Sequence, residues 1–171
     1  MDYSHVMIDL ETLDTRPTAA IIAIGAVIFH GEGKGREFYA AIDSVSSVRA
    51  GLTTNERTVK WWGEQSAEAR KVFTDPDRLQ IYGALKAFAE FLPPDARVWG
   101  NGAAFDNAIL ANAYAELGID QPWKFWNDRC YRTLAAISPA PRVQRGTHHN
   151  ALDDAKSQAE HLLTFAEGFL A

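Results

Sequence analysis

The sequence predicts a mixed α/β fold, a sheet of five strands flanked by helices, on three observations. Apolar and β-branched runs crowd the first 42 residues, helical periodicity takes over from residue 55, and two short strand segments interrupt the helices.

His5 to Leu10 reads as a short buried strand. After a break at Leu13 to Pro17, Ala20 to Phe29 is rich in Ile, Val and Ala and forms a second. Gly31-Glu32-Gly33-Lys34-Gly35 reads as a turn, and Glu37 to Ile42 returns as a third strand. The first three strands are therefore expected as an antiparallel meander. Asn55 to Gly63 and Ser66 to Phe73 have the character of short helices. Within Asp77 to Leu92, the residues Leu79, Tyr82, Leu85, Phe88, Ala89 and Leu92 recur at helical spacing, and Pro93-Pro94 stops the run. Arg97 to Asn101 is a fourth strand, ending at Gly100-Asn101-Gly102. Phe105 to Leu117 is helical, with Gly118 as its C-terminal stop. Trp126-Asn127 supplies a brief fifth strand before a helix from about Cys130 to Ile137, and a loop runs from Ser138 to Thr147. In the last helix Asn150 is the N-cap and Asp153 favours the positive end. Ala155, Ala159, Leu162, Leu163, Ala166 and Phe169 then lie along one stripe.

A length of 171 residues fits one domain over 1–171, and 47% hydrophobic with 23% charged residues is an ordinary globular composition. No apolar run approaches the ~18 residues a membrane span needs. Met1-Asp2-Tyr3-Ser4-His5 lacks the basic-then-apolar pattern of a secretory signal, so a cytoplasmic location is expected. The single cysteine, Cys130, excludes an internal disulfide framework and a multi-Cys zinc site, and reads as a small buried hydrophobe. A net charge of −5 argues against a duplex-coating role and leaves room for a short, local nucleic-acid contact.

Three acidic places carry the chemistry. In Met7-Ile8-Asp9-Leu10-Glu11-Thr12, strand geometry puts Asp9 and Glu11 on one face. Two such carboxylates repel unless a cation lies between them or one is protonated; a bare surface pair is the plain alternative. Asp106 follows Gly100-Asn101-Gly102 and opens a helix, where acids are favoured in any case. In His148-His149-Asn150-Ala151-Leu152-Asp153-Asp154, the Asn150 cap leaves His149 in the loop while Asp154 enters from the helix.

Asp9-Leu10-Glu11-Thr12, Asn101 through Phe105-Asp106, and His149 followed by Asp154 together resemble the three motifs of the DEDDh 3′→5′ exonucleases, the superfamily of proofreading exonuclease subunits and RNase T. The match spans roughly residues 5 to 165. Ile8 to Leu13, Trp61-Trp62 followed by Gln65-Ser66, and Arg132-Thr133-Leu134 look closest to the exodeoxyribonuclease VIII-like and mycobacterial-type 3′–5′ exoribonuclease group. Leu13-Asp14 departs from the Thr-Gly expected of the proofreading subunits.

The resemblance implies an RNase H-like sheet and a hydrolase that releases nucleoside 5′-monophosphates from the 3′ end of single-stranded or overhanging DNA or RNA. It implies two Mg²⁺ or Mn²⁺ ions held by Asp9, Glu11, Asp106 and Asp154, with Asp9 bridging, and His149 as the base that takes the proton of the attacking water. Hard oxygen donors suit those ions. Thr12, Leu13 and Phe105 are expected beside the terminal nucleotide. Trp61 and Trp62 fit core or interface packing first and base stacking second, and Arg142 and Arg145 fit either phosphate contact or a solvated loop. Relatives also make a homodimer plausible. A catalytically silent nucleic-acid-binding module is the alternative, but it would have lost a ligand or the His. An RNase H-like endonuclease is a further alternative, against which the His149 loop and the Phe105-Asp106 motif speak.

Overall fold

A computed structural model describes residues 4–30 and 33–170. Its sheet has five strands: β1 (His5–Thr12), β2 (Ile21–His30), β3 (Gly33–Ala41), β4 (Arg97–Gly100) and β5 (Asp128–Cys130), in the spatial order β3-β2-β1-β4-β5. The first three pair antiparallel, whereas β4 lies parallel to β1 and β5 parallel to β4. Every residue from Ile21 to Phe29 is buried. Such a continuous apolar strand needs cover on both faces.

Seven helices supply that cover among the described residues: α1 (Ser44–Arg49), α2 (Glu56–Gly63), α3 (Ile81–Phe91), α4 (Asp106–Glu116), α5 (Tyr131–Ala135), α6 (Ala151–Leu163) and α7 (Glu167–Leu170). Alternation along β1 sorts its side chains between two cores. Val6, Ile8 and Leu10 join the larger core with Leu85 and Phe88 of α3 and Ile109 and Leu110 of α4. Met7 joins the smaller one, with Trp99, Tyr131 and the α6 stripe Ala155, Ala159 and Leu162. Asp9 and Glu11 share the parity of Met7, so they emerge on the α6 side of the sheet.

Gly25 of β2 stands directly opposite Asp9. A Cβ there would lie 2.1 Å from the backbone carbonyl carbon of Ala151. The first turn of α6 therefore rests on bare strand backbone, and only glycine leaves it room.

The expected elements shift in several places. β1 runs on to Thr12, and Gly33 to Gly35 pair with β2 as strand, while Gly31 and Glu32 lie outside the described residues. Ser66 to Phe73 reduces to a 3₁₀ turn at Ala69–Phe73. α3 begins at Ile81, and its buried stripe is Ile81, Ala84, Leu85, Phe88 and Phe91; Leu79 and Tyr82 are exposed. Leu79 instead bridges Ile42 as extended chain, which delays the helix and rotates its apolar phase. Trp126-Asn127 lies in a 3₁₀ turn, and the fifth strand is the following Asp128–Cys130. Cys130 is only partly buried.

Helix α1 went unpredicted because it turns serines inward. Ser47 Oγ donates to Ile21 O at 2.7 Å, and Ser46 Oγ accepts from Ile81 N at 2.9 Å. Asp43, its N-cap, was the one local signal. Among the described residues no helix is long and apolar enough to cross a membrane.

Candidate active site

Each acid reaches the site from a different support. Asp9 and Glu11 project from β1, and Asp9 Oδ1 accepts from Gln158 Nε2 of α6 at 2.7 Å. Asp106 is the first residue of α4, and its Oδ1 accepts from Leu10 N at 3.2 Å, between the two β1 acids. A Cβ at Gly100 would meet Asp106 Cβ at 2.9 Å, so the glycine ending β4 lets α4 start at the sheet edge. Asn107 pins that start by donating to Val98 O at 3.0 Å and Asp128 Oδ1 at 2.8 Å. Asp154 comes from the first turn of α6, whose Asn150 cap accepts from Leu152 N and Asp153 N.

Carboxylate oxygens of Asp9, Glu11 and Asp154 fall within 4.8 Å of one another. Asp106 lines the same cleft. Asp154 is held at both oxygens: Gln144 Nε2 donates to Oδ1 at 2.7 Å and His149 N to Oδ2 at 2.9 Å. Asp153 faces the loop, accepting from Thr147 N at 2.8 Å. His149 sits in the left-handed region at φ 64°, a conformation that costs a non-glycine residue energy unless its neighbours fix it. Its ring meets Trp61 edge to face at 4.8 Å, and Trp62 anchors the wall behind by donating from Nε1 to Thr12 O at 2.9 Å.

Burial dominates the electrostatics. It pushes the Glu11 carboxyl up to about 8, with the charges of Asp154 and Asp106 adding to the effect. Asp106 rises to about 7, again chiefly through burial, and Asp9 is raised well above the usual carboxylate range by burial and by its three acidic neighbours. Glu11 Oε1 and Asp106 Oδ2 are buried without a hydrogen-bond partner. Clustered oxygen donors that lack hydrogens to accept fit divalent cations of the hard class. Burial lowers the imidazole of His149 below its ordinary value, with His148 acting in the same direction and Asp154 against it. A neutral ring near neutrality suits a proton acceptor.

These shifts predict how the cation-free protein responds to pH. A carboxyl whose folded value is raised stabilises the fold below its unfolded value, and that stability is lost as pH rises through the folded value. For Glu11 the window runs from 4.5 to about 8. The melting temperature in chelator should therefore fall by on the order of 5 °C or more between pH 5 and 8, and Mn²⁺ should restore it. A flat profile in a thermal-shift series would contradict the cluster.

The cleft above the acids has a volume of about 520 Å³ and is walled by Thr12, Trp61, Trp62, Phe105, Arg57, Arg132 and Arg142. Thr12 and Phe105 both line this cleft. Leu13 does not: it is 7% exposed and belongs to the larger core. The pairing register shifts at Glu11/Thr12 and Leu13 N bonds back to Ala20 O, which turns the side chain inward. Trp62 is buried, whereas Trp61 is 38% exposed on the cleft wall. Arg145 pairs with Glu160, while Arg142 lines the cleft. The departure at Asp14 is structural. Burial opposes its charge, yet donors from Arg16, Thr53 Oγ1 and Thr15 N hold the carboxyl down at about 2.

Gln158, Gln144 and Gly25 are the residues sequence reasoning missed. Gln158 lies one turn beyond Asp154 on the same helix face, a spacing that could have found it. Gln144 and Gly25 carry no comparable local signal.

The domain described as "3'-5' exoribonuclease Rv2179c-like domain" matches residues 4–166. An exodeoxyribonuclease of Enterobacteria phage T4 is 28% identical over 156 residues, covering 74% of this chain and 68% of the relative. Among solved structures, E. coli exonuclease I in complex with a dT13 oligonucleotide superposes with a TM-score of 0.69 at 11% identity over 95% of this chain. This chain spans 40% of that protein's length. The nuclease domain of 3'hExo, a DEDDh family member bound to rAMP, superposes with a TM-score of 0.59 at 14% identity, covering 94% of this chain and 90% of that one. At these identities the two structures establish the shared RNase H-like exonuclease fold.

Proposed function

Because the chain belongs to the family of Rv2179c-like 3′-5′ exoribonuclease domains, we propose that it hydrolyses single-stranded nucleic acid from the 3′ end, one nucleotide at a time, using two Mg²⁺ or Mn²⁺ ions. One observation carries the reading: four carboxylates and a histidine supplied by β1, α4, α6 and the preceding loop meet in one cleft, with two buried oxygens unpartnered.

Asp9, Glu11, Asp106 and Asp154 would hold the ions. Bound there, two divalent ions stabilise the attacking and leaving oxygens of an in-line displacement at phosphorus. Gln158 orients Asp9, and Gln144 with His149 N–H fixes the rotamer of Asp154. His149 accepts the proton of the attacking water at its ring nitrogen. The ring is placed for this by its left-handed backbone and by Trp61. The product is a nucleoside 5′-monophosphate.

The dimensions favour a single strand. A cleft of about 520 Å³ holds a terminal nucleotide with part of its neighbour, and the protein's charge of −5 offers no extended duplex track. The exposed faces of Trp61 and Phe105 suit stacking on unpaired bases. The family description favours RNA and the phage relative DNA, so both sugars belong in the test. Strands of each, labelled at the 5′ end, should shorten to a ladder only with Mg²⁺ or Mn²⁺, and a closed circle should survive. Cleavage of the circle, or a ladder that persists in chelator, would overturn the proposal.

A further inference from the structure

Four of the five histidines divide into two kinds. His5 and His161 are buried with both ring nitrogens committed: His5 to Leu170 O and Trp99 Nε1, His161 to Tyr131 Oη, Ser138 Oγ and Ala140 O. His148 and His149 differ. Their rings lie 3.8 Å apart and tilted by 37°, and among the described residues neither ring nitrogen makes a hydrogen bond. One ligand atom from each falls within 4.8 Å of the other and of an Asp154 carboxylate oxygen.

Two imidazoles and one carboxylate are a donor set for a borderline ion, and differ in kind from the all-oxygen set of Asp9, Glu11 and Asp154. We infer that His148, His149 and Asp154 form a second, overlapping transition-metal site, selective for Zn²⁺ over Mg²⁺, whose occupation inhibits the enzyme. The ligand atoms lie within 4.8 Å of one another, and His148 is exposed, so its ring can turn toward a shared ion. Asp154 keeps lone pairs beyond those used by Gln144 and His149 N–H. The fourth position would be water, as in open zinc sites.

Inhibition follows from shared ligands. A zinc ion held here would engage the imidazole of His149, the proposed proton acceptor, and would draw on the Asp154 carboxylate that the oxygen-only site also needs. His148 lines the cleft and helps lower the imidazole of His149, but it belongs to neither the all-oxygen set nor the proton transfer, so His148→Ala, with zinc sensitivity read relative to its own Mn²⁺-supported rate, is the discriminating variant.

The inference rests on the exonuclease reading only for its inhibitory part, so binding and activity are measured separately. Cobalt(II) titrated into the wild-type protein should give the intense visible absorption of a tetrahedral site with nitrogen ligands, and His148→Ala should lose most of it. In the presence of Mn²⁺, Zn²⁺ should inhibit the wild type at a concentration at least about tenfold below that needed for His148→Ala, the penalty expected for losing one metal contact. Equal sensitivity of the two proteins would overturn the inhibitory site, because zinc would then act on the carboxylates alone. A cobalt spectrum unchanged by His148→Ala would overturn the site itself. Absence of Mn²⁺-supported hydrolysis would instead strike the exonuclease reading and leave the cobalt result standing.

Discussion

Asp9→Asn and His149→Ala should both silence hydrolysis, and they should do so for separable reasons. Removing a positioned general base costs about 10²–10⁴ in turnover. His149→Ala should fall in that range while binding Mn²⁺ with little change in calorimetry, because the Asp9, Glu11 and Asp154 oxygens remain. Asp9→Asn should lose at least as much activity and most of its metal affinity. The amide still offers Gln158 an acceptor, so the fold around it survives. Its stability should move in the opposite direction from its activity: burial and three neighbouring acids all oppose the charge on Asp9, and removing that charge relieves them. In chelator at pH 8, Asp9→Asn should therefore melt above the wild type. Equal metal loss in the two variants would defeat the division of roles, and a lower melting temperature for Asp9→Asn would contradict the electrostatics.

Among the described glycines, Gly25→Ala should be the most damaging substitution, because the atoms its Cβ would meet are all backbone. The new Cβ would fall 2.1 Å from one backbone atom of α6 and 2.2 Å from another, and backbone cannot rotate aside as a side chain does. Overpacking in a filled core costs ~1–3 kcal/mol and occasionally more. A loss at the upper end corresponds to a drop in melting temperature of about 6–12 °C. Activity should fall further than stability, by on the order of 10²-fold even in the cold, since Asp154 and His149 are displaced with the helix start. Gly63→Ala is the control, because a Cβ there meets nothing within 4 Å. A Gly25→Ala protein that matched the Gly63→Ala protein in melting temperature and rate would show that α6 does not dock as described.

The legible parts of this molecule share a physical property: their signal is local. Asn150 announces α6 because a cap bonds residues two and three positions on, and Asp9 and Glu11 share a face because strand periodicity is two. The acids, the histidine and the broad α/β order could be read for that reason. What stayed hidden depends on partners far away in sequence. Gly25 looks like any strand glycine until Ala151 arrives, and Gln144 is a loop residue until Asp154 accepts from it. Leu13 was misplaced because a register shift, invisible in composition, turned it from the cleft into the core. Helix α1 escaped because its buried residues are serines satisfied by distant backbone groups.

The pairing of β1 with α6 also has a consequence for biosynthesis. Asp9 and Glu11 are made well before Asp154 and Gln158. The tie between His5 and the carbonyl of Leu170 closes later still. Until α6 leaves the ribosome, Gly25 faces solvent and the early acids have neither their fourth partner nor the histidine. The candidate site is therefore incomplete in a nascent chain until His149 and Asp154 have emerged.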